Sequence, residues 1–266
     1  MEDLKLSAAL ESHTNQITQV KFCPFEARDN LLVSCSFDKT IRLWTLDENL
    51  SFSMDILLGH GSPVLSVDFS SESVLCSCDA DGTLKVWNLI DKTCIFSHSI
   101  DSSLKQLSIF ETTVLLASAT TFHMFDLNEM KVVSSIPTNQ SKNIVCVDFN
   151  SDCSLAVLAT IDTLSLLDSK DFRCIQTYTV PGDKISSVCF FKMTISATES
   201  LEMVAFGTYK KIYVWNFSSK SRNPVSSLEC HEGLVSSICA SGTEGLLSST
   251  SHDNLVKLWR INPHFL

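Results

Sequence analysis

Apolar residues fall in short alternating runs along the chain. Ile17, Val20 and Phe22 form one run, and Val64, Val67 and Phe69 the next. Val145, Val147, Phe149 and Ile185, Val188, Phe190 repeat the scheme. Side chains at i and i+2 share one face of a strand, so each run predicts a half-buried β-strand. A turn and a second apolar run follow each one. Asp47-Glu48-Asn49, Ser70-Ser71-Glu72-Ser73 and Pro181-Gly182-Asp183 are turn-forming segments. No long segment carries a helical period, so the expected fold class is all-β.

The pattern repeats. Ser36-Phe37-Asp38-Lys39-Thr40-Ile41-Arg42-Leu43-Trp44 ends the first clear repeat, and Asp79-Ala80-Asp81-Gly82-Thr83-Leu84-Lys85-Val86-Trp87 the second. Ser251-His252-Asp253-Asn254-Leu255-Val256-Lys257-Leu258-Trp259 ends a third. In each, an Asp precedes the Trp by six residues, and a His stands upstream: His13, His60 and His231. Weaker copies end at Phe125, Leu167 and Trp215, so the steps between repeat ends are 43, 38, 42, 48 and 44 residues. A period of ~40–45 residues is that of four-stranded propeller blades, and the chain resembles the WD40 family over its full length. That resemblance implies one β-propeller domain over residues 1–266, with six blades expected and seven as the alternative. Only Arg260 to Leu266 follow Trp259, and Pro263 interrupts them. Leu4–Leu10 is therefore expected to supply the last blade's outer strand and remove an exposed edge.

In the WD40 family, the upstream His and the turn Asp join a strand Ser or Thr and the Trp in a buried hydrogen-bond chain. Carried over by position, the resemblance implies three such networks: His13, Asp38, Trp44; His60, Asp81, Trp87; and His231, Asp253, Trp259. Their role is expected to be structural, since buried polar groups are tolerated only when partnered. Recurrence of one trio around the chain speaks against catalysis. The weak repeats depart from the pattern. Tyr209 stands six before Trp215, Ala119 six before Phe125, and Asp162 five before Leu167. A looser sector is expected from about residue 105 to 215. The residue before each turn Asp is expected to face a partner: Phe37, Ala80 and His252, with Tyr209 and Lys210 at the equivalent turn of the fifth repeat.

Composition narrows the function. Hydrophobic residues make up 44 % and charged residues 19 % of 266, which excludes a disordered chain. No apolar run approaches the ~20 residues of a membrane span, and the acidic start Met1-Glu2-Asp3 shows no signal-peptide pattern. A net charge of −10, with Lys210-Lys211 the only adjacent basic pair, argues against direct nucleic-acid binding. The eleven cysteines contain no C-x-x-C pair. Cys35, Cys146, Cys189 and Cys239 sit in apolar runs, as small buried hydrophobes in a reducing compartment would. No zinc site is expected. Asn139-Gln140-Ser141 and Asn216-Phe217-Ser218 read as chance sequons, and His98, His123, His252 and His264 as surface or strand residues. Phosphate-loop, nucleophile-elbow, zinc-protease and EF-hand motifs are absent. Neither an enzyme nor a cofactor is expected.

A narrower resemblance rests on Cys230-His231-Glu232-Gly233-Leu234-Val235-Ser236-Ser237 and the repeat end after it, on Ser36–Thr40 and Leu75–Asp79, and on the degenerate Leu116-Ala117-Ser118-Ala119. From about Leu10 to Trp259 these look like the C-terminal WD40 region of the LEUNIG family of plant transcriptional co-repressors. The resemblance implies a nuclear protein recruited by transcription factors, contacting histone deacetylases or Mediator rather than DNA. That family carries an N-terminal dimerisation and adaptor module of LisH/LUFS type and an additional leading blade. Neither is seen here, so a monomer and a truncated or competing scaffold are expected. A cytoplasmic scaffold or substrate-recognition subunit is the alternative.

Overall fold

A computed structural model describes residues 10–28, 30–47, 52–100, 102–137, 143–150, 154–169, 173–194, 200–217, 226–240 and 246–261. Apart from a three-residue 3-10 turn at Glu26–Arg28, every regular element is a β-strand. The first sheet runs in chain order through β1 (Ile17–Phe22), β2 (Leu31–Ser36), β3 (Ile41–Leu46) and β4 (Phe52–Leu57). The second holds β5 (Val64–Ser71), β6 (Val74–Asp79), β7 (Thr83–Asn88) and β8 (Thr93–Ser99). The third holds β9 (Leu104–Phe110), β10 (Thr113–Ser118), β11 (Thr121–Asp126) and β12 (Lys131–Pro137), and the fourth β13 (Ile144–Phe149), β14 (Leu155–Thr160), β15 (Thr163–Asp168) and β16 (Cys174–Thr179). A six-stranded sheet follows: β17 (Ser187–Thr194), β18 (Ser200–Gly207), β19 (Tyr209–Trp215), β20 (Ser226–Ala240), β21 (Leu246–Ser251) and β22 (Val256–Arg260).

Position within a sheet follows from sequence. The second strands, such as Leu31–Ser36, Val74–Asp79 and Leu155–Thr160, are apolar or small throughout and are buried on both faces. The fourth strands, such as Phe52–Leu57 and Cys174–Thr179, alternate with polar residues and form exposed edges. Within each compact unit, a sheet packs an apolar face on the next. Val33, Ile41 and Leu43 of the first sheet meet Val67, Phe69 and Trp87 of the second, and Cys76 and Val86 of the second meet Leu104, Leu107 and Phe125 of the third. Val157 and Leu164 of the fourth sheet meet Phe190, Phe206 and Trp215. Burying one such large side chain contributes about 1.5–3 kcal/mol. Polar links fasten the first strands together. Thr18 Oγ1 donates to the Val64 carbonyl at 2.6 Å, and Gln19 Oε1 accepts the Val67 N–H at 2.8 Å. Asp68 accepts the Ile109 N–H at 3.1 Å, and Asp148 the Phe190 N–H at 2.9 Å. Successive antiparallel sheets stacked face on face are the architecture of a β-propeller.

The chain divides into two compact units, one holding β1 to β12 as far as Ser135 and the other β13 to β22. Five sheets are present among the described residues, so the expected count of six four-stranded blades is corrected, and seven is not supported either. The fifth and sixth repeats share β20, a 15-residue strand that serves both. Between β4 and β5 the chain breaks at Leu58–Pro63. In β20 it does not break, because the β18–β19 turn is short. Thr208 N–H donates to the Lys211 carbonyl at 2.9 Å, which sets Tyr209 opposite Leu234, and Val235 N–H bonds the Thr208 carbonyl at 3.1 Å. These contacts hold Cys230–Leu234 extended. The closing strand expected from Leu4–Leu10 falls almost wholly outside the described residues, as do Glu48, Asn49, the Asn139 sequon, Ser218, Pro263 and His264.

Candidate functional site

Three hydrogen-bond chains organise the first, second and last repeats. His13 and His60 stand four residues before an inner strand, and His231 lies within β20. His13 Nδ1 donates to Asp38 Oδ2 at 2.8 Å, His60 Nδ1 to Asp79 Oδ2 at 2.8 Å, and His231 Nδ1 to Asp253 Oδ2 at 2.8 Å. The other ring nitrogen accepts the hydroxyl of Ser34 (2.8 Å), Ser77 (2.6 Å) or Ser249 (2.8 Å). That serine oxygen in turn accepts the indole N–H of Trp44 (2.9 Å), Trp87 (2.8 Å) or Trp259 (2.8 Å). In His60 burial favours the neutral form, and with the Asp79 carboxylate on Nδ1 the hydrogen sits there, leaving Nε2 to accept from Ser77. The second carboxylate oxygen pins the turn: Asp38 accepts the Thr40 N–H and Asp253 the Leu255 N–H, both at 3.0 Å.

Asp81, expected in the second chain, is not part of it. Asp79 takes the place, at the end of β6 where the other repeats have Ser36 and Ser251. Those serines accept the backbone N–H of Asp38 and Asp253, whereas Asp79 accepts that of Asp81 and also reaches His60. One carboxylate thus performs both jobs, and Asp81 points to solvent. The serines were expected only as a residue type. They stand ten residues before each Trp, a spacing legible in the sequence.

Asp, His and Ser occur here in the order of a hydrolytic relay. The serine oxygen, however, already accepts an indole N–H, and Ser34, Ser77 and Ser249 are almost fully buried. A nucleophile needs access to substrate, which this burial denies. Among the described residues, no group of His, Cys, Asp and Glu could hold a metal ion, and no helix is long and apolar enough to cross a membrane.

Phe37, Ala80 and His252 occupy one equivalent position. Each donates its backbone N–H to a carbonyl: Gln16 at 2.9 Å and Pro63 at 3.0 Å, each just before an inner strand, and Leu234 within β20 at 3.0 Å. Phe37 is 39 % exposed, His252 is exposed, and Ala80 is half-buried. At the fifth repeat's turn Tyr209 is 56 % exposed, and the Lys210 ammonium lies 5.6 Å from its ring centre. Phe37 and Ala80 belong to the first compact unit, and Tyr209, Lys210 and His252 to the second.

A family model described as WD domain, G-beta repeat matches residues 4–45, 52–88 and 222–260. The chain carries WD40 repeats. The matched stretches contain all three His–Asp–Ser–Trp chains. The transcriptional corepressor LEUNIG_HOMOLOG of Arabidopsis thaliana is 27 % identical over 265 residues, 98 % of this chain. The chain spans 32 % of that protein's length. WD40 repeats imply a protein-interaction scaffold.

The third to fifth repeats, which lie outside the matched stretches, lack the network in a common way. The strand pairing that sets Ser34 opposite Arg42 and Ser77 opposite Lys85 puts Leu116, Leu158 and Phe206 in the serine position. Phe125 and Leu167 replace two of the tryptophans. Trp215 keeps its indole, but its buried N–H has no partner among the described residues. Aromatic packing fills in: Phe206 stacks on Tyr213 at 5.0 Å, and Tyr178 lies 6.1 Å from Trp215. Asp183 stands in the histidine position and accepts the Thr208 hydroxyl at 2.6 Å. Because no acceptor is lost, Trp215→Phe is expected to destabilise less than Trp87→Phe, by about 1–2 kcal/mol in urea unfolding. Equal losses would contradict this account.

Burial lowers the pKa of His60, overriding the pull of Asp79, and burial also lowers that of His123. Burial alone would raise Asp38. Hydrogen bonds from Thr40, His13 and the Thr14 and Thr40 N–H groups outweigh it and hold the carboxyl well below its usual range. Asp253 is held at about 2, where burial is outweighed by the Glu232 N–H, His231 and the Leu255 N–H. All four shifts have the same sign. A depressed pKa means that the unfolded chain binds more protons, so stability is full above the unfolded value and falls as pH drops. The histidines act first, from about pH 6.5 downward, and the carboxylates from about pH 4. Tm is therefore expected to hold between pH 7 and 8 and to fall from pH 6.5 to 5. A rise over that interval would contradict the burial of neutral His60.

Proposed function

We propose that the chain is a non-catalytic scaffold in transcriptional repression, acting in the nucleus as one monomeric protein-binding domain. It would recruit repression machinery or compete for it. The carrying observation is similarity to a transcriptional corepressor over 98 % of the chain. The burial of Ser34, Ser77 and Ser249 supports a structural reading of the His–Asp–Ser–Trp chains, and the net charge of −10 supports protein rather than DNA as partner. By resemblance, the partners are histone deacetylase or Mediator-type components and transcription factors. Phe37, Ala80, Tyr209, Lys210 and His252 are the proposed contact residues. An exposed aromatic beside a cation suits a peptide anchor.

The test is affinity purification of the tagged chain from nuclei, with the co-purifying proteins identified. Deacetylase or Mediator subunits are expected. Recovery from cytosol alone, with neither class present, would replace the co-repressor reading by that of a cytoplasmic scaffold. Phe37→Ala and Tyr209→Ala should each weaken capture about tenfold, the effect of losing an aromatic anchor, at unchanged Tm. A fall in Tm matching the loss of capture would return both residues to loop packing.

A further inference from the structure

We draw no further inference here: the strongest candidate, the exposed apolar row Ile17, Val20 and Phe22 on β1, carries none, since nothing in the structure shows what covers it.

Discussion

Asp79→Ala is expected to be among the most destabilising substitutions at a polar position, and Asp81→Ala, two residues on, nearly silent. Asp79 is 1 % exposed and bonds buried His60 at 2.8 Å. Its other oxygen accepts the backbone N–H of Thr83 at 2.8 Å and of Asp81 at 3.2 Å. Removing it strands an imidazole already short of water and frees two turn amides. Leaving a buried donor unpaired costs about 1–3 kcal/mol, and more where the lost partner is charged. Asp81 is exposed, and a surface change of this kind stays within about 0.5 kcal/mol. Urea unfolding of the two variants decides it. Comparable losses, or a larger loss at Asp81, would return the network to the residue six before the Trp.

Gly82→Ala is expected to cost on the order of 4 kcal/mol, from left-handed backbone strain and overpacking together. Gly82 has φ +92°, a conformation that L side chains rarely adopt. A Cβ there would stand 2.3 Å from the Ile100 carbonyl oxygen and 2.5 Å from that of Ser102. Both are backbone atoms, and Ile100 N–H is bonded back to the Gly82 carbonyl at 2.9 Å, so neither can retreat cheaply. At the same turn position the first and last repeats carry Lys39 (φ 70°) and Asn254 (φ 65°). Left-handed geometry alone is therefore tolerated, and the added cost at Gly82 is steric. Gly61→Ala is the control, since nothing lies within 4 Å of its added Cβ. Its Tm should stay near that of the parent while Gly82→Ala melts far lower. Similar melting of the two would remove the steric argument.

Much of the molecule was legible in the sequence. Alternating runs such as Val145, Val147, Phe149 became inner strands, and Glu72-Ser73 and Pro181-Gly182 became turns, because period-two patterning and turn chemistry are local properties. The histidine and tryptophan positions were legible for the same reason. Each repeat is one supersecondary unit, so the same side chain recurs at the same place in it. The expected weakness of the third to fifth repeats has a visible cause in Leu116, Leu158 and Phe206, which cannot accept an indole N–H.

Three things were decided only by the tertiary structure. The carboxylate that serves His60 could not be chosen by counting back from Trp87, since Asp79 and Asp81 share one turn. Strand register and the placement of the imidazole select Asp79. The sheet count could not be read from the number of repeats, because the contacts of Tyr209 and Thr208 keep β20 extended through the point where another repeat breaks. That the Arg28 guanidinium has no partner among the described residues had no signature in the chain, where it is one charge beside a short turn. Sequence by itself determined which segments become strands and which residues can bond, since both depend on neighbours along the chain. Which bonds are made, and which charge is left without a partner, depends on the separation of groups far apart in sequence, and only packing sets that distance.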